Sequence, residues 1–323
     1  MHNIETIFYF GQTPWHGLGV PLKEIPTSEK AIIAAGLDWK VTKEKLYYAK
    51  ENIGTLDDQE IVGSIERVED YFAIKRSDKQ DSKSILGIVG KRYSPVQNIN
   101  AFNFFDTVVG EKKAIYHTAG SLDKGKVVWI LAKLPEGISI SSNDNIELYT
   151  LLMNRHDGKR SVIVQPTPIR VVCQNTLNMA LVENKNRLTF RHTKNVDSQM
   201  KMAALSLNHS LKTFEETKEA YKLIAKKEVT SDSLKEYFDN VVDFNEKSRR
   251  SINRRSHLID IFDYDTQKNN LRPSLWIAYN AITYWVDHEK GKSDDKRLSN
   301  AWTGNGFSIK QKALDVAIQM AAA

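Results

Sequence analysis

The chain has 323 residues, 41% hydrophobic and 27% charged, a mixture that supports an ordinary folded core and excludes a disordered chain. It contains no run of about 18 or more apolar residues, as a membrane-spanning helix would need, and "MHNIETIFYFGQ" lacks the basic start and apolar stretch of a signal peptide. Its single cysteine, Cys173, excludes an internal disulfide and a cysteine-built zinc site, so a reducing cytoplasm is the expected compartment.

In chain order, the first notable stretch is "TPWHGLGV" at 13–20. No carboxylate or second ligand accompanies His16, so the segment reads as a plug in which Trp15 anchors the N-terminus on a sheet. The alternative is a platform with Trp15 stacking a base. "TSEKAIIAAG" reads as a short helix. From about 40 to 195, the runs "YFAIKR", "SILGIVG", "AIYHTAG", "KVVWILAKL", "IELYTLLMN", "SVIVQP" and "RLTFRHT" are β-branched and aromatic, as strands are. "SPVQNINAFNFFDTVVG" predicts a helix capped by Ser94, opened by Pro95 and ended at Gly110, with Ile99, Phe102, Phe105 and Val109 on one face. "TPIRVVCQNTLNMAL" predicts a second such helix, with Thr167 as cap and Pro168 next. Its apolar stripe runs Ile169, Val172, Cys173, Thr176, Leu177, Ala180 and Leu181, which makes Cys173 a core residue rather than a nucleophile. After about 196 the pattern turns helical, and "NEKSRRSINRRSHLID" reads as a polar, mobile connection. The expected fold is α+β: a mixed or antiparallel sheet with packed helices over 1–195, then a mainly helical region over 196–323 packed on it.

Charge is concentrated. The net charge is +6. Residues 151–194 hold eight basic side chains against Asp157 and Glu183, so this segment carries the whole excess. Concentrated basic charge points to a polyanion, with a solvated basic face as the alternative. Asp157-Gly158 signals a hairpin turn that would present Arg155, His156, Lys159 and Arg160 at its tip. "RLTFRHTK" adds Arg187, Arg191 and Lys194, with Phe190 placed either to stack a base or to fill the core. On the predicted helix after Pro168, Arg170, Gln174 and Asn178 share a face suited to phosphates or base edges. Lys91, Arg92 and Tyr93 precede the helix after Ser94, where a phosphate could sit.

Little announces catalysis. "GKRYS" lacks the glycine-rich loop of a nucleotide-hydrolysing site. No histidine pair has metal-ligand spacing, and no nucleophile elbow occurs. His156, Asp157, Asp287 and His288 are the weak candidates for a nuclease or other hydrolase. No cofactor or metal is expected.

Taken in order, "TPWHGLGV", "GIVGKRYSPVQN", "YHTAGSLDKGKVVWILAKL", "MNRHDG", "TPIRVVCQNTLNMAL", "RHTKNV" and "YNAITYWVDH" resemble the phage/plasmid-like proteins of the DUF932 family. The likeness covers nearly the whole chain, and "RVVCQNTLN" is its most specific stretch. The family is one of unknown function, so the resemblance implies a mobile-element setting and supplies no catalytic residues. The leading expectation is a protein that binds single-stranded DNA, or anneals it as a homo-oligomer, in the host cytoplasm. The other two are the hydrolase and a structural or interaction protein.

Overall fold

A computed structural model describes residues 4–11, 19–50, 64–110, 114–141, 144–170, 175–176, 187–200, 208–291, 300 and 304–323. Trp15, His16, Cys173, Gln174 and Asn178 lie outside the described residues.

Two sheets carry the first half. The large one combines β1 (Ile4–Phe10), β2 (Val20–Leu22), β6 (Ile115–Leu122), β7 (Val127–Ser141), β8 (Asp144–Arg155), β9 (Val162–Arg170), β10 (Asn175–Thr176) and β11 (Leu188–Phe190). Its order is β10-β9-β8-β7-β6-β1-β2, with β11 also on β9. Among the described residues only β1 and β2 pair in parallel, so the sheet is mixed. The small sheet is the antiparallel set β3 (Val41–Lys50), β4 (Ser64–Arg76) and β5 (Ile85–Gly90). The fold is α+β.

The near-continuous apolar runs of β7 and β8 follow from burial on both faces. Val128, Ile130, Ala132, Leu148 and Leu152 face the main core. Trp129, Leu131, Tyr149, Leu151 and Met153 form a second cluster on the opposite side. In the second half run α3 (Asn208–Lys226), α4 (Ser231–Val242), α5 (Arg249–Lys268), α6 (Leu275–Tyr284) and α7 (Asn305–Ala322), after α1 (Ser28–Ala34) and α2 (Asn98–Gly110) in the first. One apolar cluster runs from β7 and β8 into α3, α4, α6 and α7. Trp276 Nε1 also donates to Asp144 Oδ2 at 2.8 Å, tying α6 to the start of β8.

Three expected elements differ. Residues 167–170, expected to open a helix, continue β9, and Asn175–Thr176 pair back onto it as β10. Residues before a proline favour extended backbone, and both a helix cap and a strand use that conformation. Pairing with β8 as far as Ile146↔Arg170 decides for the strand. Pro166 and Pro168 share one parity, so their missing N–H groups face one edge. Among the described residues, β11 reaches only Val164 and β10 only Ile169, which leaves the prolines unopposed on the outer side. Second, α2 starts at Asn98, not Pro95. The backbone of Val41 explains the delay: it exchanges two hydrogen bonds with the Gln97 carboxamide, at 2.9 and 2.8 Å. Third, the supposed mobile connection is the start of α5, whose Ser248 side chain accepts from the Ser251 N–H.

Candidate nucleic-acid interface

The β8–β9 hairpin places the most informative residues. Gly158 occupies the left-handed region at φ 74°, as the Asp-Gly turn requires. Only part of the tip is solvated: Gly158, Lys159 and Arg160 are exposed. His156 is fully buried and Asp157 is 7% exposed, because the tip docks against β5. A Cβ added at Gly87 would come within 2.7 Å of the Asp157 Cα, so only glycine permits this approach.

Docking assembles a polar cluster between the sheets. His156 Nε2 bonds Asn98 Oδ1 at 3.0 Å, and its ring meets Trp39 edge-on at 5.4 Å. Arg155 binds Asp157 at 2.6 Å. Burial pushes the Asp157 carboxyl up, but Arg155 and the Lys159 N–H hold it below its ordinary value. Tyr93 OH donates to the Arg155 carbonyl at 3.1 Å, and its ring stacks on His192 at 4.6 Å. The Ser94 N–H donates to the His192 carbonyl at 3.0 Å. Burial lowers His156 to about 3 and His192 to about 4, so both rings are neutral near pH 7. Among the described residues, His156 Nδ1 has no hydrogen-bond partner.

These contacts bring four basic segments to one region. Lys43, which the sequence reading missed, donates from Nζ to the carbonyls of Gly90, Lys91 and Tyr93 at 3.2, 2.7 and 2.9 Å, pinning the loop that carries Lys91 and Arg92. Lys91 pairs with Asp70 at 3.2 Å. Arg187 is half-buried; burial and the nearby Arg160 charge ease loss of its proton. Arg92, Lys159, Arg191 and Lys194 are exposed, and among the described residues none is in an ion pair, although the Lys159 charge and N–H both act on Asp157.

The expected stacking groups fare differently. Phe190 is 8% exposed and belongs to the main core, and the Tyr93 ring is taken by His192. Phe190 offers no free aromatic face, and Tyr93 has one face occupied. Arg170 ends β9, so it does not share a helix face with the positions after it. The hydrolase candidates do not assemble. Asp287 is in a buried ion pair with Lys310 at 2.9 Å, and the His288 ring lies on Tyr284 at 4.6 Å, in a π-helical turn (Trp285–Glu289) remote in the chain from the hairpin tip. Among the described residues, no three histidine, cysteine or acidic side chains are grouped to hold a metal.

Residues 85–302 match the family described as Domain of unknown function (DUF932). The chain belongs to this family. The hairpin tip, the 91–93 loop and residues 187–194 of the DUF932 chain all fall within the matched span, and Lys43 precedes it. No curated protein and no solved structure matches the DUF932 chain.

The opposite face of its large sheet holds a second polar group. Glu147 accepts from Lys133 Nζ and from Tyr149 OH, both at 2.5 Å. His117, bulged out of register between Tyr116 and Thr118, packs edge-on against Tyr149 at 5.0 Å, and burial lowers it to about 4. Bulges re-aim side chains in this way, and no local signal in the sequence marks one.

Proposed function

We propose that this protein binds nucleic acid, single-stranded DNA foremost, through the surface where the 91–93 loop, the hairpin tip and residues 187–194 meet. The observation that carries this reading is the group of exposed, unpaired cations Arg92, Lys159, Arg191 and Lys194 on segments held together by buried contacts. Phosphates supply most of the affinity of such a surface, and the buried Phe190 and the Tyr93 ring stacked on His192 leave recognition chiefly to the backbone. The resemblance to phage/plasmid-like proteins favours recombination or replication of a mobile element, in the host cytoplasm, with strand annealing by a homo-oligomer as the fuller form.

The test is fluorescence anisotropy of a labelled single strand, with co-purified nucleic acid removed first. Four phosphate contacts on a single strand give a log–log salt slope of about −3. Replacing Arg92, Lys159, Arg191 and Lys194 by glutamine is expected to weaken binding about 100-fold or more at low salt and to flatten that slope. Absence of salt-sensitive binding by the wild-type chain, or an unchanged slope in the variant, refutes the reading.

A further inference from the structure

A second cationic surface lies on the helical half, outside the interface above. Helix α5 opens with Arg249 and Arg250 and carries Arg254 one turn on, with no acidic residue in its first turn. Cations there oppose the partial positive charge of a helix N-terminus, so helix stability does not account for them. Arg250, Arg254 and His257 stand at i, i+4 and i+7 and share one face.

That face meets the π-helical turn at Trp285–Glu289. The Arg254 guanidinium lies 5.7 Å from the Trp285 ring centre, and Lys290 Nζ lies 5.8 Å from it. Two like charges are thus held on one indole. Burial and the Arg254 charge together make the Lys290 ammonium easier to deprotonate. Glu289, the neighbouring carboxylate, is bound by His257 Nε2 at 2.5 Å. Among the described residues, no carboxylate pairs with Arg250, Arg254 or Lys290. Indole faces offset part of the cost of crowding cations, and a bound anion would relieve the remaining repulsion. Such π turns recur at functional sites, and this one sets the position of Lys290.

We infer that Arg250, Arg254 and Lys290 form a second phosphate-binding site, independent of the hairpin surface, taking backbone phosphates of a nucleic acid. Two of the three cations lie 5.7 and 5.8 Å from the Trp285 ring centre, so the site reads phosphate chiefly through charge. A free nucleotide offers the same chemistry, and the experiment separates the two sources.

The triple variant Arg250→Gln, Arg254→Gln, Lys290→Gln is compared with wild type, and again on the background of the hairpin-surface variant. Anisotropy of a labelled oligonucleotide is read against salt. The expected result is at least a tenfold loss of affinity and a salt slope shallower by about 2 for three lost contacts. The thermal midpoint should hold or rise, because repulsion is relieved; a purely structural role would lower it. Displacement of the oligonucleotide by low concentrations of a mononucleotide would assign the site to free nucleotide. Displacement by polynucleotide alone would assign it to a strand. If the hairpin variant binds as wild type does while the triple variant loses binding, the hairpin reading falls and this one stands. Unchanged affinity and slope in the wild-type background overturn the inference.

Discussion

Gly87→Ala is expected to destabilise the protein by about 1–3 kcal/mol, the range for overpacking a well-packed core, and towards the upper end. The new Cβ would sit 2.7–2.9 Å from backbone atoms of Asp157, and backbone yields less readily than a side-chain end. Either β5 shifts out of register with Ile74 or the hairpin tip lifts. Lifting exposes His156 and breaks the Tyr93–Arg155 and His156–Asn98 bonds. Gly90→Ala is the control: it lies on the same strand, and a Cβ there meets nothing within 4 Å. It should change stability by less than about 0.5 kcal/mol. Urea unfolding of both variants checks this, and equal midpoints would mean that the tip is not held by close packing. Because Lys159 and Arg160 flank the same tip, Gly87→Ala should also weaken any oligonucleotide binding at the hairpin surface.

Acid should unfold this protein earlier than its carboxylates alone would. His156 and His192 fall from an ordinary 6.5 to about 3 and about 4. The unfolded chain therefore binds protons that the folded chain refuses, and stability falls as acid is added. The contribution is fully present above about pH 6.5 and is lost progressively as the pH drops toward 4 for His192 and toward 3 for His156. Each ring contributes on the order of 3 kcal/mol. At His156 the neighbouring His192 ring and Arg76 oppose the charged form and Asp157 favours it; at His192 the Ser94 backbone and Asp157 favour it. Desolvation is the largest effect at both rings. His117 on the opposite face, at about 4, adds to the same window. His192→Phe keeps the stack on Tyr93 and removes one titrating ring. This variant should match or exceed wild type at pH 7 and lose less stability between pH 6.5 and 4.5. Thermal midpoints across that range are the measurement, and an unchanged pH slope would show that His192 does not titrate with unfolding.

Legibility differed from residue to residue. The Asp157-Gly158 turn is local chemistry, and it is where the sequence places it. The strands of β7 and β8 are equally plain, since both their faces are apolar. Thr167-Pro168 is ambiguous because a helix cap and a strand ask for the same backbone conformation. Only pairing with β8 separates them. The stretch "NEKSRRSINRRSHLID" looked like a connection because polar residues dominate it; the buried apolar residues of α5, Leu258 and Phe262, fall only near its end and beyond it.

The candidate surface shows the same division. Segment charge is a property of composition, so the excess over 151–194 is readable at once. Which cations remain unpaired depends largely on neighbours distant in sequence: Asp70 takes Lys91, and Lys43 is spent on three carbonyls. The sequence by itself determined the α+β class, the long apolar strands, the turn and the basic segment, because each follows from interactions among near neighbours along the chain. Only the tertiary structure decided that His156 and Phe190 are interior, that Tyr93 stacks on His192 and that Arg254 and Lys290 share one indole. Burial and charge pairing are set by what another segment lays across a residue, and no local periodicity encodes that.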